Sequence, residues 1–357
     1  MPAEPIPEVA ETSPRVDESR VTFRLPDPGH RLAGVRLWQD VPIPGDRLDF
    51  HSDGDGWELV IDRPPVSRME YLLELRYTGG GSETVLDPGN PRQVAGAFGP
   101  KSVLEFPSYT PPAWLTAPAG NGSLTGFDVP VKALDAAVAV RIWSPGGTND
   151  SERLPLLVAH DGPEYDSLAS LTRYLSAGVT GGWLPRLRAA LLAPGHRDRW
   201  YSANMRYTRA LCQTVLPAIT GRVAASQRVG MGASLGALSM LHAHCRYPGA
   251  FDALFLQSGS FFCPAFDEHE RRFAYYRRVV RFVADVHDGG LPPRPVPTVL
   301  SCGMIEENAE NNRLMVKTLR SRGYPAILHE VPDMHNYTAW RDAFDPWLTE
   351  LLGRVSP

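Results

Sequence analysis

At 357 residues the chain is longer than one hydrophobic core ordinarily supports, so two domains are expected. Apolar residues make up 43% and charged residues 21%, an ordinary globular balance, and a net charge of −4 gives no reason to expect nucleic acid or an acidic membrane surface as partner. No segment approaches the roughly 18 uninterrupted apolar residues of a membrane span, and the four cysteines (Cys212, Cys245, Cys263, Cys302) lack metal-ligand spacing and read as small apolar residues of a reduced compartment.

No cofactor or metal is therefore expected, and the cytoplasm is the expected address. Residues 1–20, MPAEPIPEVAETSPRVDESR, have neither the basic start nor the apolar stretch of a secretory leader and are expected to be disordered.

Residues 21–110 read as short strands separated by turn clusters such as PDPGH and DGDG. VTFRL, GVRLWQD, GWELVID and MEYLLELRY are rich in β-branched and aromatic residues, which points to a small β-sandwich with Trp57 and Tyr71 in its core. Residues 111–126, PPAWLTAPAGNGSLTG, are dense in Pro, Gly, Ala and Ser and read as a linker.

From residue 127 to 357 apolar runs alternate with helix-length segments. VAVRIW, LPLLVAH, RAALLAP, RVGMG, DALFLQSG, PTVLSCG and AILHEVP are expected strands, with helices at Tyr165–Ala177 and Tyr207–Ile219 among those between. That alternation predicts a doubly wound, mostly parallel sheet, the α/β-hydrolase class, with its chemistry beyond the carboxyl ends of the strands.

Gly232-Ala233-Ser234-Leu235-Gly236 is a G-x-S-x-G pattern, preceded by a β-like run and followed by a helix-forming one. A serine on such a strand–turn–helix bend is an exposed nucleophile, and the helix start favours a developing oxyanion through its dipole and the N–H of Leu235. A serine hydroxyl needs a base of near-neutral pKa. His335 alone of the histidines stands at a strand end downstream of Ser234; His329 falls within the strand, and His242 and His244 lie on the helix after the bend. The orienting acid should follow the intermediate strand PTVLSCG, where Glu306 and Glu307 both stand, with Asp333 an outside candidate for which a loop cap is the simpler role. The second oxyanion donor should come from the loop after LPLLVAH. There Pro163 has no N–H, which leaves Gly162 or Glu164.

These pieces together resemble the enterochelin esterases, hydrolases of catecholate siderophore trilactones. The similar segments are Asp161-Gly162, the GASLGAL bend and Gln257-Ser258-Gly259-Ser260-Phe261. Cys302-Gly303-Met304-Ile305-Glu306 with Asn312-Arg313, and the terminal His335-Asn336-Tyr337-Thr338-Ala339-Trp340-Arg341, also look similar. The resemblance implies a small N-terminal β-domain, a Ser234–His335–Glu306 triad and a ferric catecholate ester as substrate. Two departures stand out: Pro163 in the oxyanion loop, and Asp333-Met334-His335-Asn336 where the family carries Gly-Gly-His-Asp.

Between Phe262 and Pro295 lies an insertion at a place where hydrolase lids occur. Its Arg271, Arg277 and Arg278, together with Arg199 and Trp200 from GHRDRWYSAN, suit an aromatic, anionic ligand through charge and cation–π contact, although a solvated helix face explains an arginine run equally. Two other functions fit the same residues: an acyltransferase using the same triad, and a non-catalytic carbohydrate- or ligand-binding protein with a degenerate site.

Overall fold

The computed structural model describes residues 14–355, and the chain divides into two compact units after Tyr109. The first carries β1 (Arg15–Val16), β2 (Arg20–Pro26), β3 (Leu32–Gln39), β4 (His51–Ser52), β5 (Gly56–Asp62), β6 (Arg68–Tyr77), β7 (Ser82–Val85), β8 (Gln93–Val94) and β9 (Lys101–Glu105). Two antiparallel sheets result, β1-β2-β5-β4 and β3-β6-β9-β8, with β7 beside β6. Alternation decides which side chains face inward: Val21, Phe23 and Leu25 on β2 and Val35 and Leu37 on β3 are buried, and Phe23 meets Tyr71 of the opposing sheet edge-on at 5.2 Å. Tyr71 is core as expected, but Trp57 is only half-buried, its indole N–H 3.4 Å from Asp27 Oδ2. Arg15, Val16 and Arg20, expected in a disordered leader, pair in β1 and β2, and the start of that leader lies outside the described residues.

In the second unit run β10 (Gly122–Val131), β11 (Ala136–Pro145), β12 (Leu154–Ala159), β13 (Arg188–Leu192), β14 (Ala225–Ala233), β15 (Ala253–Gln257), β16 (Thr298–Gly303) and β17 (Ala326–Val331). They form one sheet in the order β10-β11-β13-β12-β14-β15-β16-β17, antiparallel as far as β11–β13 and parallel from there on. The helices are α1 (Gly162–Ala169), α2 (Leu171–Gly181), α3 (Arg197–Tyr201), α4 (Met205–Ala210), α5 (Leu216–Thr220), α6 (Leu235–Arg246), α7 (Tyr276–His287), α8 (Ala309–Ser321), α9 (Tyr337–Asp342) and α10 (Thr349–Arg354). Alternate residues of β12 and β13 enter two separate cores: Leu156, Val158, Ala190 and Leu192 on one face, Leu157, Ala159, Ala189 and Leu191 on the other. Helices cover both faces, so the central strands are buried along their whole length and mostly apolar instead of alternating. This is the expected α/β-hydrolase architecture.

Several local expectations are revised. The segment read as a single helix at 165–177 breaks at Ser170, whose φ of 53° ends α1 and begins α2. Near 207–219 a π turn over Leu211–Val215 separates α4 from α5, just ahead of Pro217, which has no N–H to continue the helical ladder. The supposed lid holds α7, which buries Val279, Phe282, Val283 and Val286 at helical spacing; it is a crossover helix between β15 and β16.

The supposed linker at 111–126 belongs to the second unit. Its last residues begin β10, paired with β11, and Arg173 of α2 donates to the carbonyls of Leu115 and Ala117. Trp114 is buried edge-on to Tyr174 at 5.3 Å and stacked on Phe344 at 6.2 Å. Trp114→Ala should therefore destabilise the protein by about 3–5 kcal/mol in chemical denaturation. A loss below about 1 kcal/mol, the range of an exposed position, would return the segment to the status of a linker.

Candidate active site

Strand register brings the site together. Ala159 of β12 pairs with Met231 of β14, so Gly162 and Ser234, each three residues further on, emerge side by side at the carboxyl edge. On the other flank Ala233 pairs with Gln257 of β15, and Ser234 N donates to Gln257 O at 2.9 Å. Gly303 of β16 pairs with Val331 of β17, which delivers Glu306 and His335 from neighbouring loops.

Ser234 has φ 56° and ψ −124°, a conformation that a non-glycine residue holds only where its surroundings over-determine it. The bend needs its first glycine: a Cβ on Gly232 would stand 2.5 Å from the carbonyl carbon of Gly236. Leu235 and Gly236 open α6, where first-turn N–H groups have no partner within the helix.

Gly162 opens α1, packed so closely on β13 that a Cβ would meet the Cα of Leu191 at 2.4 Å. Pro163 takes the following position, where a missing N–H costs the helix nothing because that group would lack a helical partner anyway. The amides of Gly162 and Glu164 remain in that first turn. Glu164 itself is half-buried, with Oε2 unpartnered among the described residues, and burial raises its pKa.

His335 Nδ1 lies 3.2 Å from Glu306 Oε1. The Glu306 carboxylate is buried and accepts from Gly303 N at 2.9 Å, Ser258 Oγ at 3.0 Å and Cys302 Sγ at 3.2 Å. Burial by itself would raise its pKa; the His335 charge and these donors outweigh burial and hold it below the usual value. For His335, burial would lower the pKa, but Glu306, and to a smaller degree Glu307, lift it above its ordinary 6.5. Glu307 is exposed and faces His269 at 3.9 Å, while Asp333 caps its own loop through Met334 N and Asn336 Nδ2.

Ser234 Oγ makes its hydrogen bond to Ser260 Oγ at 3.0 Å, and none joins it to His335 among the described residues. Ser260 is thus a neighbour of Ser234 that the sequence reading left without a role. So are Ser258, which receives Trp340 Nε1 at 2.9 Å while donating to Glu306, and Asn308, whose amide lies 3.4 Å from His335 Nδ1. The QSGS run after a strand was the only signal for the two serines, and Asn308 had none. The other histidines near the bend are structural: His242 pairs with Thr208 and His244 with Tyr324, and burial depresses them to about 3 and about 4, so both are neutral.

Of the side chains expected to bind substrate, Arg199 and Arg277 are exposed, and Arg271 is paired with Glu268 at the surface. Trp200 is corrected to a core residue, buried and stacked on Tyr207 at 5.4 Å. Arg278 is also reassigned, because its guanidinium donates to the carbonyls of Ser202 and Arg199 and ties α7 to α3. At the surface, His269, Glu270 and Glu307 bring potential cation ligands within 4.8 Å of one another, two of the three exposed.

With this geometry described, the kinship is direct. The sequence profile of the family described as "Putative esterase" matches residues 132–351. The chain belongs to that family. It is accordingly a carboxylic ester hydrolase of α/β-hydrolase fold. Among solved structures it is similar to the enterobactin esterase of Shigella flexneri solved in the presence of enterobactin, at 19% identity and a TM-score of 0.75 over 96% of this chain and 95% of that one. The ferric enterobactin esterase of Salmonella typhimurium matches at 20% identity and 0.75 over 94% and 93%. A feruloyl esterase module of Clostridium thermocellum, an S954A mutant complexed with sinapinate, matches at 12% and 0.51 over 70% and 94%. No curated protein sequence matches the chain significantly.

The two glutamates can be told apart by pH dependence. Only the neutral imidazole acts as base, so kcat/KM should rise with pH through a pKa above 6.5. Removing the larger anionic neighbour in Glu306→Gln should move that limb to lower pH and cut kcat by roughly 10³–10⁴-fold through loss of the tautomer. Glu307→Gln should move the limb down less and keep most of the rate. The reverse ranking would make Glu307 the orienting acid.

Proposed function

We propose that the chain hydrolyses its esters through a Ser234–His335–Glu306 triad and an acyl-enzyme. The observation that carries this reading is the left-handed Ser234 at the end of β14 and start of α6, on the same sheet edge as a His335–Glu306 pair. In the reaction His335 Nε2 takes the hydroxyl proton as Ser234 Oγ attacks the ester carbonyl carbon. The tetrahedral oxyanion is held by the amides of Leu235 and of Gly162 or Glu164, and collapse expels the alcohol with the proton from His335. Water repeats the sequence to release the acid. To bring imidazole and hydroxyl together, Ser234 must exchange its bond to Ser260 for one to His335.

A catecholate siderophore trilactone is the best specific substrate. What supports it is the likeness along nearly the whole chain to enterobactin esterases solved with enterobactin and with 2,3-dihydroxy-N-benzoyl-serine. The exposed guanidiniums of Arg199 and Arg277 would assist an anionic ferric complex, a small-molecule partner. The address consistent with this role is the cytoplasm, and no helix among the described residues is long and apolar enough to cross a membrane.

Fluorophosphonate labelling should reach wild type and vanish in Ser234→Ala; labelling that survives would assign the nucleophile elsewhere. Incubation with a ferric catecholate trilactone should release monomers separable by chromatography. Arg199→Glu with Arg277→Glu should raise KM for that substrate and leave KM for a neutral ester unchanged, whereas equal effects on both would remove the arginines from recognition.

A further inference from the structure

Arg197 opens α3, yet its guanidinium turns inward. Its Nε and Nη2 donate to Oδ1 and Oδ2 of Asp161 at 2.9 Å each, and Nη2 also lies 3.4 Å from the carbonyl oxygen of Ala233. Asp161 is 2% exposed, sits at a φ of 49°, and immediately precedes Gly162. Ala233 immediately precedes Ser234. The carboxylate is also seated on the bend, since Asp161 Oδ2 would stand 3.2 Å from a Cβ on Gly236.

Two further contacts run the same way. His160 Nδ1 lies 3.1 Å from Gly236 O while its Nε2 meets Tyr207 OH at 2.9 Å. Asp161 N donates to Tyr201 OH at 3.4 Å, and the Arg197 guanidinium lies 5.7 Å from the same ring. Every one of these contacts joins the loop after β12 to the turn after β14 or braces that joint from α3 and α4. Those two loops carry the amides assigned above to the oxyanion.

We propose that Arg197 is a positioning residue for the oxyanion hole, clamping the Asp161–Gly162 loop to the Ala233–Gly236 turn so that both amides converge on one oxygen. The inference rests on the reading of Ser234 as nucleophile. A guanidinium suits the task because its planar fork matches both carboxylate oxygens at once and keeps a further N–H for the backbone, while an ammonium offers one point charge. Amide donors aimed at an oxyanion act chiefly in the transition state, so loosening the clamp should lower kcat and spare ground-state binding.

Arg197→Lys keeps the charge and loses the fork. With a neutral p-nitrophenyl ester its kcat should fall roughly 10–100-fold, the scale of a partly lost oxyanion donor, with KM within about threefold of wild type. Affinity for a trifluoromethyl ketone, which forms a hemiketal on the serine, should fall in parallel, while affinity for the product alcohol should not change. In Arg197→Ala, added ethylguanidinium should restore kcat. This second variant reads the same function if the lysine variant folds poorly, and circular dichroism of each separates misfolding from misalignment. A kcat within twofold of wild type in folded Arg197→Lys, or a raised KM at constant kcat, would overturn the clamp; the latter would make Arg197 a substrate-binding group. Ester hydrolysis that survives Ser234→Ala would instead overturn the nucleophile, a result obtained without any Arg197 variant.

Discussion

The site depends on a carboxylate kept ionised inside the protein. Glu306 is removed from water, which ordinarily penalises the charged form heavily, and three donors from two strand ends compensate: Ser258 Oγ just after β15, and Cys302 Sγ and Gly303 N at the end of β16. Once these are satisfied, the remaining capacity of the carboxylate points at His335 Nδ1, fixing which ring nitrogen the carboxylate engages. Losing any of those donors would also leave a buried charge short of partners, so the same contacts that engage His335 tie together the chain after β15, β16 and β17.

A second constraint acts on the other side of Ser234. Gly232 lets strand and helix approach closely around a serine of left-handed conformation, Gly236 lets the His160–Asp161 loop lie against the start of α6, and Gly162 lets α1 lie directly on β13. These are steric demands and have little to do with glycine's affinity for turns. They set the two helix starts side by side, and the Asp161–Arg197 ion pair then spans them. Pro163, which looked like a missing donor in the sequence, falls where a helix start has no use for one.

The charge picture of the site is also altered by packing. The sequence presents arginines in GHRDRWYSAN and in the 262–295 insertion, but their guanidiniums fare differently. Arg197 is spent on Asp161, Arg278 on two backbone carbonyls and Arg271 on a surface glutamate, while Arg199 and Arg277 stay exposed. Charge runs report composition; their pairing is a property of the folded chain.

The elements legible in the sequence are those with a local cause. Apolar runs of strand length separated by helical segments determine a parallel doubly wound sheet, alternation in 21–110 determines antiparallel strands, and two glycines around a serine mark a strand–turn–helix bend. What depends on contacts between distant residues was decided only by tertiary structure. Trp114 is core although its segment has a linker's composition, because Tyr174 and Phe344 come to it from far along the chain. Ser260, Ser258, Asn308 and the Asp161–Arg197 clamp were not legible for the same reason: short-range pattern specifies period and turn, whereas the register of neighbouring strands chooses which loop ends meet.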